Sequence, residues 1–291
     1  MRSAYLFPGQ GSQEVGMGQD VYRRSAAARA LFDEADSLLG FPLSEIIFNG
    51  PEDQLTDTAN QQPALFITSI AHWRTMTELG WPQPQYMAGH SLGEFSALAA
   101  ANAVSVSDGL ALVRKRGELM KAAGAREPGG MAAILALDVE SVRDLCAQAA
   151  ATTGCPVQVA NDNCPGQIVI SGDDQALEQA TDLMQQAGAR KVVRLPISIA
   201  AHSDLMSSAA QEFAEAIDAT PFQIPDVPVI GNVSAMPLHS VDDIRGELKA
   251  QLTSPVAWTG SMQYLLGQGV DTFIEVGPGK VLLGLLKRID R

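Results

Sequence analysis

The 291-residue chain has few cysteines, few basic residues and no long apolar run. Its three cysteines, Cys146, Cys155 and Cys164, are odd in number and form no C-x-x-C pair. The sequence therefore predicts neither a disulfide framework nor a thiolate metal site, and we expect a reducing compartment, the cytoplasm. With 20 lysines and arginines against 33 acidic residues, the net charge is -13. This balance disfavours nucleic acid as a partner, since phosphate binding needs a basic surface.

The apolar segments are too short for a membrane protein. None approaches the roughly 20 residues that a spanning helix needs, and the N-terminal apolar stretch is shorter than a secretory signal. We therefore expect no membrane association. What the chain does have is 46% hydrophobic and 18% charged residues, a composition typical of a globular α/β protein with a sizeable core.

A nucleophile elbow is the strongest local motif. The stretch Gly89-His90-Ser91-Leu92-Gly93-Glu94 fits G-x-S-x-G, a sharp strand-to-helix turn that exposes a serine hydroxyl at the end of a sheet. Residues 85–88 before it can form a short buried strand, and residues 92–101 after it are strong helix formers. A serine at this helix N-terminus lies where free N–H groups favour a developing oxyanion. Ser91 is therefore a candidate nucleophile.

The order of predicted elements divides the chain into an α/β core and a smaller insertion. Between residues 126 and 196 the order is strand, helix, strand, strand, helix, strand, the ferredoxin-like unit. We expect a large α/β catalytic domain at 1–125 and 197–291 and a ferredoxin-like domain at 126–196. The strands predicted for the core lie at 3–7, 85–88, 227–232 and 272–276, and its helices at 26–39, 61–79, 92–101, 108–123, 203–219, 241–253 and from about 280.

A serine nucleophile needs a base, and the chain has four histidines. His72 lies in an apolar helical pattern, His239 lies in a loop, and His90 adjoins the serine but points away from it at a sharp turn. His202 follows a strand-like segment at 195–199 and begins the next predicted helix. Because active-site groups gather at strand ends of α/β sheets, His202 is the preferred candidate.

An oxyanion hole needs two N–H donors. The residue after the nucleophile, Leu92, is expected to supply one. The second could come from the loop after the first strand, where Gly9, Gln10 and Gly11 expose their amides, although this loop could equally be an ordinary glycine-rich turn. The loop is not a dinucleotide fingerprint, because Glu14 occupies the position of its third glycine.

Five motifs in order resemble the malonyl-CoA:acyl carrier protein transacylase family, which is related to the acyltransferase domains of polyketide synthases. They span residues 5 to 288 and are Phe7-Pro8-Gly9-Gln10-Gly11-Ser12-Gln13, Gly89-His90-Ser91-Leu92-Gly93-Glu94, Arg116-Gly117-Glu118-Leu119-Met120, Ala201-His202-Ser203-Asp204-Leu205-Met206 and Glu275-Val276-Gly277-Pro278-Gly279-Lys280. The resemblance implies a hydrolase-like parallel-sheet core with a ferredoxin-like insertion. This fold agrees with the order of predicted elements.

The resemblance also implies roles for individual residues. Ser91 would attack the malonyl thioester of malonyl-CoA, and His202 would take its proton and later activate the phosphopantetheine thiol of an acyl carrier protein. The main-chain carbonyl of Gln251 would hold the histidine. The amides of Gln10 and Leu92 would form the oxyanion hole. The family implies no metal and no cofactor beyond the CoA substrate.

Arg116 corresponds to the arginine that binds the free carboxylate of malonyl. A guanidinium can hold a carboxylate with two parallel hydrogen bonds, and a buried one would reject acetyl, which leaves it unpaired. By sequence alone, residues 114–116 form a charged cluster of the kind that usually faces solvent. One departure is Ala201, where family members often carry serine or phenylalanine. The smaller side chain leaves room for methylmalonyl, whereas Leu92 is the usual residue of malonyl-type members.

Two other functions use the same residues. Attack by water on the acyl-serine would make the protein a thioester hydrolase, and loss of chemistry would leave a carrier-protein docking module. Since carrier proteins are acidic, basic side chains are the candidates for docking. These candidates are Arg190, Lys191, Arg194, Lys280 and Lys287. The pathway, fatty-acid or polyketide synthesis, is not indicated by any motif.

Overall fold

The computed structural model describes residues 2–290 and folds them into two four-stranded sheets. The strands are β1 Ser3–Phe7, β2 Tyr86–Gly89, β3 Gly129–Leu135, β4 Val157–Cys164, β5 Gln167–Asp173, β6 Lys191–Arg194, β7 Val229–Ile230 and β8 Thr272–Glu275. The helices are α1 Gln19–Arg24, α2 Ala26–Leu39, α3 Leu43–Asn49, α4 Glu52–Thr56, α5 Thr58–Glu78, α6 Gly93–Ala100, α7 Val106–Arg126, α8 Val139–Thr153, α9 Asp174–Gln186, α10 Ser207–Ala219, α11 Val241–Gln251, α12 Trp258–Gly267 and α13 Val281–Ile289.

The first sheet is parallel and has the order β7-β2-β1-β8. Its central strand β1 is wholly buried, as expected for parallel strands covered by helices on both faces. Phe7, the last residue of β1, pairs with Gly89, the last residue of β2. Because the two strands end at the same level, the loops that follow them leave the sheet side by side. This edge is where ligands bind in open α/β sheets.

The second sheet is antiparallel and has the order β4-β5-β3-β6. Helices α8 and α9 pack on it around a separate core that lies between residues 132 and 192. Together with the element order β-α-β-β-α-β, this arrangement confirms the ferredoxin-like unit expected from the sequence. The boundaries at 126 and 196 stay a prediction.

The insertion is fastened to the core through β4. The Asp162 N–H donates to the carbonyl of Val256, and the Val256 N–H donates to the carbonyl of Ala160. Strand β4 also packs against α12 and α13. The antiparallel sheet is therefore joined to the core along β4.

Some predicted elements differ from those observed. Residues 195–199, predicted as strand-like, lie outside the observed strands; the Leu195 N–H still donates to the carbonyl of Met131 in β3, but Pro196 has no N–H with which to continue the ladder. The strand predicted at 227–232 shrinks to β7, because the chain turns out of the sheet at Gly231. The helix predicted from residue 203 opens with a 3₁₀ turn, Asp204–Met206, before α10. Helices α1, α3, α4 and α12 were not predicted from the sequence; the first three span seven residues or fewer, too few to show a helical period.

No helix within residues 2–290 combines the length and the apolar character that a membrane crossing requires.

Candidate active site

Ser91 lies in the turn between β2 and α6 with φ of 51°, a left-handed conformation that serine rarely adopts. The glycines on either side are required by close backbone contacts. A Cβ on Gly89 would overlap the main chain of Gly93, and a Cβ on Gly93 would overlap the carbonyl of Phe7. Strand, turn and helix therefore meet as in a nucleophile elbow, with the strained residue carrying the hydroxyl.

The hydroxyl of Ser91 contacts the imidazole of His202. Its Oγ donates to Nε2 at 2.8 Å, across 111 positions of sequence. On the other side of the ring, Nδ1 donates to the carbonyl oxygens of Gln251, at 2.8 Å, and Ser254, at 3.2 Å. Because carbonyls only accept, Nδ1 carries the hydrogen and Nε2 is left with the lone pair that faces the serine. The ring is therefore held in the tautomer that can accept the serine proton.

His202 is buried and uncharged near neutral pH. Burial, and then the positive charge of Arg116, lower its pKa to about 3. Its backbone also has a positive φ, 58°, and is held by Gln158 of β4, whose Nε2 donates to the carbonyls of His202 and Thr253 at 3.2 and 3.1 Å. The histidine thus reaches the serine from an irregular turn that the insertion supports, and not from the end of a strand at 195–199.

Arg116 is wholly buried, unlike its neighbours Arg114 and Lys115, which reach solvent. The guanidinium donates from Nη1 to Gln62 Oε1 at 2.9 Å and from Nη2 to Gln251 Oε1 at 2.9 Å and Ser91 Oγ at 3.1 Å. Its Nε is buried without a hydrogen-bond partner among residues 2–290. Burial lowers the pKa of Arg116 to about 10, which still leaves it charged at neutral pH. The sequence cluster 114–116 is therefore not a wholly solvated face.

Gln251 connects these groups through its main chain and its side chain. Its main-chain carbonyl holds His202, as the resemblance implies, and its side-chain oxygen holds Arg116. Its Nε2 donates to the carbonyl of Ser91 at 3.0 Å and to the carboxyl of Glu94. One buried glutamine therefore contacts serine, arginine and histidine.

Two backbone N–H groups face the serine turn without a partner of their own. Within residues 2–290, neither the Gln10 nor the Leu92 N–H donates a hydrogen bond, whereas the N–H of Ser91 is taken by Asn232 Oδ1 at 2.6 Å. The loop of Gln10 packs directly on the elbow, since a Cβ on Gly9 would overlap the carbonyl of His90. Free donors at this edge of the sheet are the arrangement that an oxyanion hole requires.

We compared the chain with known protein families, relatives and solved structures. The profile of the family described as acyl transferase domain matches residues 4–289. The chain belongs to this acyl transferase family. The resemblance inferred from the five motifs is thereby confirmed, together with the fold class that it implies.

Relatives of this acyl transferase are similar along nearly their whole length. It is 48% identical over 288 residues to the malonyl CoA-acyl carrier protein transacylase of Bacillus subtilis (strain 168), covering 99% of this chain and 90% of that protein. It is 42% identical over 286 residues to the protein of the same name from Escherichia coli (strain K12), with coverages of 98% and 92%.

Solved structures agree with this relationship. The malonyl CoA-acyl carrier protein transacylase of Coxiella burnetii superposes with a TM-score of 0.97 at 39% identity, covering 100% of this chain and 92% of that one. A malonyl-transacylase in complex with its type II PKS acyl-carrier protein gives a TM-score of 0.96 at 40% identity, with coverages of 100% and 93%.

Several residues of the acyl transferase site were missed by the sequence analysis. Gln62 holds Arg116, Asn232 holds the serine turn, and Glu94 lies beneath it. Burial, followed by the charge of Glu247, raises the pKa of Glu94 well above its usual range. The only signal in the sequence was the position of Glu94 at the end of the elbow motif, since a polar side chain in a helical pattern does not reveal whether it faces the core.

The remaining histidines lie apart from the chemistry. His90 points away from the serine, as expected, and its Nε2 contacts Asn163 Oδ1 at 2.8 Å. His72 lies on α5, where its Nδ1 contacts the Thr68 carbonyl at 2.8 Å. No cluster of three metal-ligating side chains occurs in the part of the acyl transferase that the structure describes.

Proposed function

We propose that the protein transfers a malonyl group from malonyl-CoA to the phosphopantetheine thiol of a holo acyl carrier protein, by way of a malonyl ester on Ser91. The observation that carries this proposal is the position of Ser91 Oγ, 2.8 Å from His202 Nε2 and 3.1 Å from Arg116 Nη2. A nucleophile in contact with both a base and a buried guanidinium suits an acyl donor with a free carboxylate. The names of its relatives support the same reaction.

In the first half-reaction, Ser91 Oγ bonds to the thioester carbonyl carbon as its proton passes to His202 Nε2. The resulting oxyanion accepts hydrogen bonds from the N–H groups of Gln10 and Leu92. The carbon–sulfur bond then breaks, and the CoA thiolate takes the proton from the imidazolium. The second half-reaction is the reverse sequence, with the carrier's thiol as the nucleophile, and it restores the free serine.

Arg116 selects the acyl group in this proposal. Within residues 2–290 its guanidinium has only amide and hydroxyl oxygens as acceptors, and a malonyl carboxylate would offer two charged oxygens in matching geometry. Acetyl offers none and would leave the cation buried and unpaired. Ala201, buried beside His202, leaves methylmalonyl as an alternative donor, while Leu92 favours malonyl.

The carrier protein is proposed to dock on exposed basic side chains. Arg190, Lys191, Arg194, Lys280 and Lys287 are all exposed. Arg194 already pairs with Asp174, whereas the Lys191 side chain forms no ion pair within residues 2–290. The reaction needs no cofactor beyond the CoA thioester and no metal. We propose the cytoplasm as its compartment and either fatty-acid or polyketide synthesis as its pathway.

Intact-mass measurement after exposure to malonyl-CoA tests the central step. The wild-type protein should gain one malonyl group and lose it to holo carrier protein, whereas Ser91→Ala should gain none. Full acylation of Ser91→Ala would refute the assignment of the nucleophile. Release of free malonate faster than transfer to the carrier would make the protein a hydrolase, and absence of any wild-type adduct would make it a docking module.

A further inference from the structure

Glu94 is a buried carboxyl for which the proposed reaction has no role. It follows Ser91 by three residues, in the first turn of α6, and its side chain is 0% exposed. Its two oxygens accept hydrogen bonds from two residues distant in sequence: the side-chain amide of Gln251 and, at 3.3 Å, the backbone N–H of Asn232. A buried carboxyl needs such donors. Glu94 can therefore influence the site through Gln251 and Asn232.

Both partners of Glu94 hold the backbone of the serine turn. Asn232 Oδ1 accepts from the Ser91 N–H at 2.6 Å, and Asn232 Nδ2 donates to the Gly89 carbonyl at 2.7 Å. Gln251 Nε2 donates to the Ser91 carbonyl at 3.0 Å, and the same carbonyl accepts the backbone N–H of Glu94 at 3.1 Å. The peptide groups before and after the nucleophile are thus each held by one side chain, and Glu94 touches both holders.

The contact on the Ser91 carbonyl determines where the next N–H points. A trans peptide group is planar, with its N–H directed opposite to its C=O. The carbonyl of Ser91 and the N–H of Leu92 belong to one such group. The Gln251 side chain and the Glu94 N–H both bond to the Ser91 carbonyl, so the Leu92 N–H is turned to the opposite side, where it has no partner within residues 2–290.

We infer that Glu94 is a positioning residue for catalysis, whose carboxyl fixes Gln251 and Asn232 on the serine turn and so aims the Leu92 N–H at the oxyanion. The inference rests on the proposed function. The left-handed φ of Ser91 persists only where surrounding contacts enforce it, and these contacts supply that enforcement.

The variant Glu94→Gln separates this role from a general structural one. Both carboxyl oxygens face N–H donors, so an amide of the same size places its own NH₂ against one of them. The matched control is Glu118→Gln on α7, where the exposed carboxylate bonds only to Arg114.

The measurement is the rate at which a fluorophosphonate, a serine-reactive compound whose P=O oxygen needs the oxyanion donors, labels Ser91. It is compared with single-turnover acylation by malonyl-CoA. For Glu94→Gln we expect both rate constants to fall at least tenfold, with the apparent KM for malonyl-CoA within about twofold and an intact fold by circular dichroism. Arg116→Gln should instead lose malonyl acylation far more than labelling.

A wild-type rate of fluorophosphonate labelling in Glu94→Gln would overturn the inference. A lower rate of acylation by malonyl-CoA with unchanged labelling would also overturn it, because Glu94 would then act through Arg116. If Glu94→Gln does not fold, Gln251→Met tests the same contacts, since it keeps the main-chain carbonyl that holds His202. It should lose labelling to a similar extent, and an unchanged rate would overturn the inference. Failure of the proposed function would appear elsewhere, as wild-type protein that forms no malonyl adduct.

Discussion

At the scale of single residues, the proposed base has no carboxylate bonded to its ring within residues 2–290. His202 is backed by the carbonyls of Gln251 and Ser254, which orient the ring but carry no full charge. On its other side, across the serine hydroxyl, lies the guanidinium of Arg116. Formation of an imidazolium during proton transfer therefore meets repulsion, and a substrate carboxylate on Arg116 would relieve it.

A pH profile tests this electrostatic link. In Arg116→Gln the positive neighbour is removed, which favours the protonated imidazole and raises the pKa of His202 from about 3. Since only the neutral ring accepts the serine proton, activity is lost as pH falls through this pKa. We expect the acid limb to move upward by about one pH unit or more, given a charge pair separated by several ångströms of protein.

The rate of fluorophosphonate labelling between pH 3 and 8 reports this limb for the free protein, because the label does not need Arg116. Arg114→Gln, on the same helix but directed toward Glu118, is the control and should retain the wild-type profile. Coincident limbs in wild type and Arg116→Gln would show that the guanidinium does not influence the base.

The sequence indicates candidate residues more readily than their contacts. Ser91 is proposed from the elbow motif, and His202 from its position after the segment 195–199, among only four histidines. Arg116 looked like part of a charged surface because helix periodicity does not distinguish a buried arginine from an exposed one beside it. The side-chain bonds of Gln251 and Asn232 join segments more than 130 residues apart, and no local pattern encodes such pairings.

At the scale of elements, the packing of α5 against α7 brings Gln62 to Arg116. Gly117 allows this approach, since a Cβ there would lie 2.5 Å from the carbonyl of Thr58 on α5. Gly109, one end of the same interface, faces the ring of Phe66 in the same way. The distance between two helices thus sets the position of the guanidinium.

Replacing Gly117 by alanine should force the helices apart. We expect a loss of roughly 1–3 kcal/mol in the free energy of unfolding, as for overpacked interiors, and weaker malonyl acylation because Arg116 moves with α7. The control Gly246→Ala on α11 meets no atom within 4 Å and should stabilise by about 0.5–1 kcal/mol. Urea unfolding of both variants measures this difference. Equal changes in the free energy of unfolding would contradict the prediction.

Elements with a clear period were predicted within a few residues, and the exceptions have local causes. The strand predicted at 227–232 ends early because the backbone turns at Gly231, whose N–H and C=O bond to Met236 and Ala235; the Asn232 side chain then reaches the serine turn. The segment 195–199 is apolar enough for a strand, but Pro196 cannot pair and the edge strand β6 stops before it. Tertiary contacts therefore override the local pattern at both places.

At the scale of the whole molecule, the antiparallel sheet supports chemistry that the parallel sheet carries. Gln158, on β4, bonds to the main chain at both His202 and Thr253. Asn163, on the same strand, bonds to His90 beside the nucleophile. The insertion is thus part of the active site's framework and not only a docking platform.

Gln158→Ala should lower the acylation rate constant about tenfold, the effect of losing roughly 1.4 kcal/mol from the three hydrogen bonds by which its side chain holds His202, Thr253 and Asp204. Apparent KM for malonyl-CoA should change little. Gln175→Ala, exposed on α9 of the same insertion, is the control. Both variants are measured by single-turnover kinetics. Equal acylation rate constants would refute the proposed role of Gln158 in supporting the histidine turn.

The proposed docking of the carrier protein on basic side chains of the insertion leads to a second prediction at this scale. Lys191→Glu should raise the KM for holo carrier protein several-fold, and the difference from wild type should shrink as salt screens the surface charges. Its effect on acylation by malonyl-CoA should be smaller than its effect on transfer. Arg143→Glu, on α8 and outside this set, should leave the carrier's KM near the wild-type value; equal shifts would argue against local docking.

The guanidinium of Arg116 is wholly buried, and its hydrogen-bond acceptors within residues 2–290 are two side-chain amide oxygens and a hydroxyl. A buried cation without a charged partner lowers the stability of the folded protein, and a bound diacid would offset this cost. If Arg116 selects the diacid as proposed, heat resistance and substrate discrimination compete at one position. Directed evolution for thermostability alone would then favour replacement of this arginine and yield stable acyl transferases that no longer distinguish malonyl from acetyl.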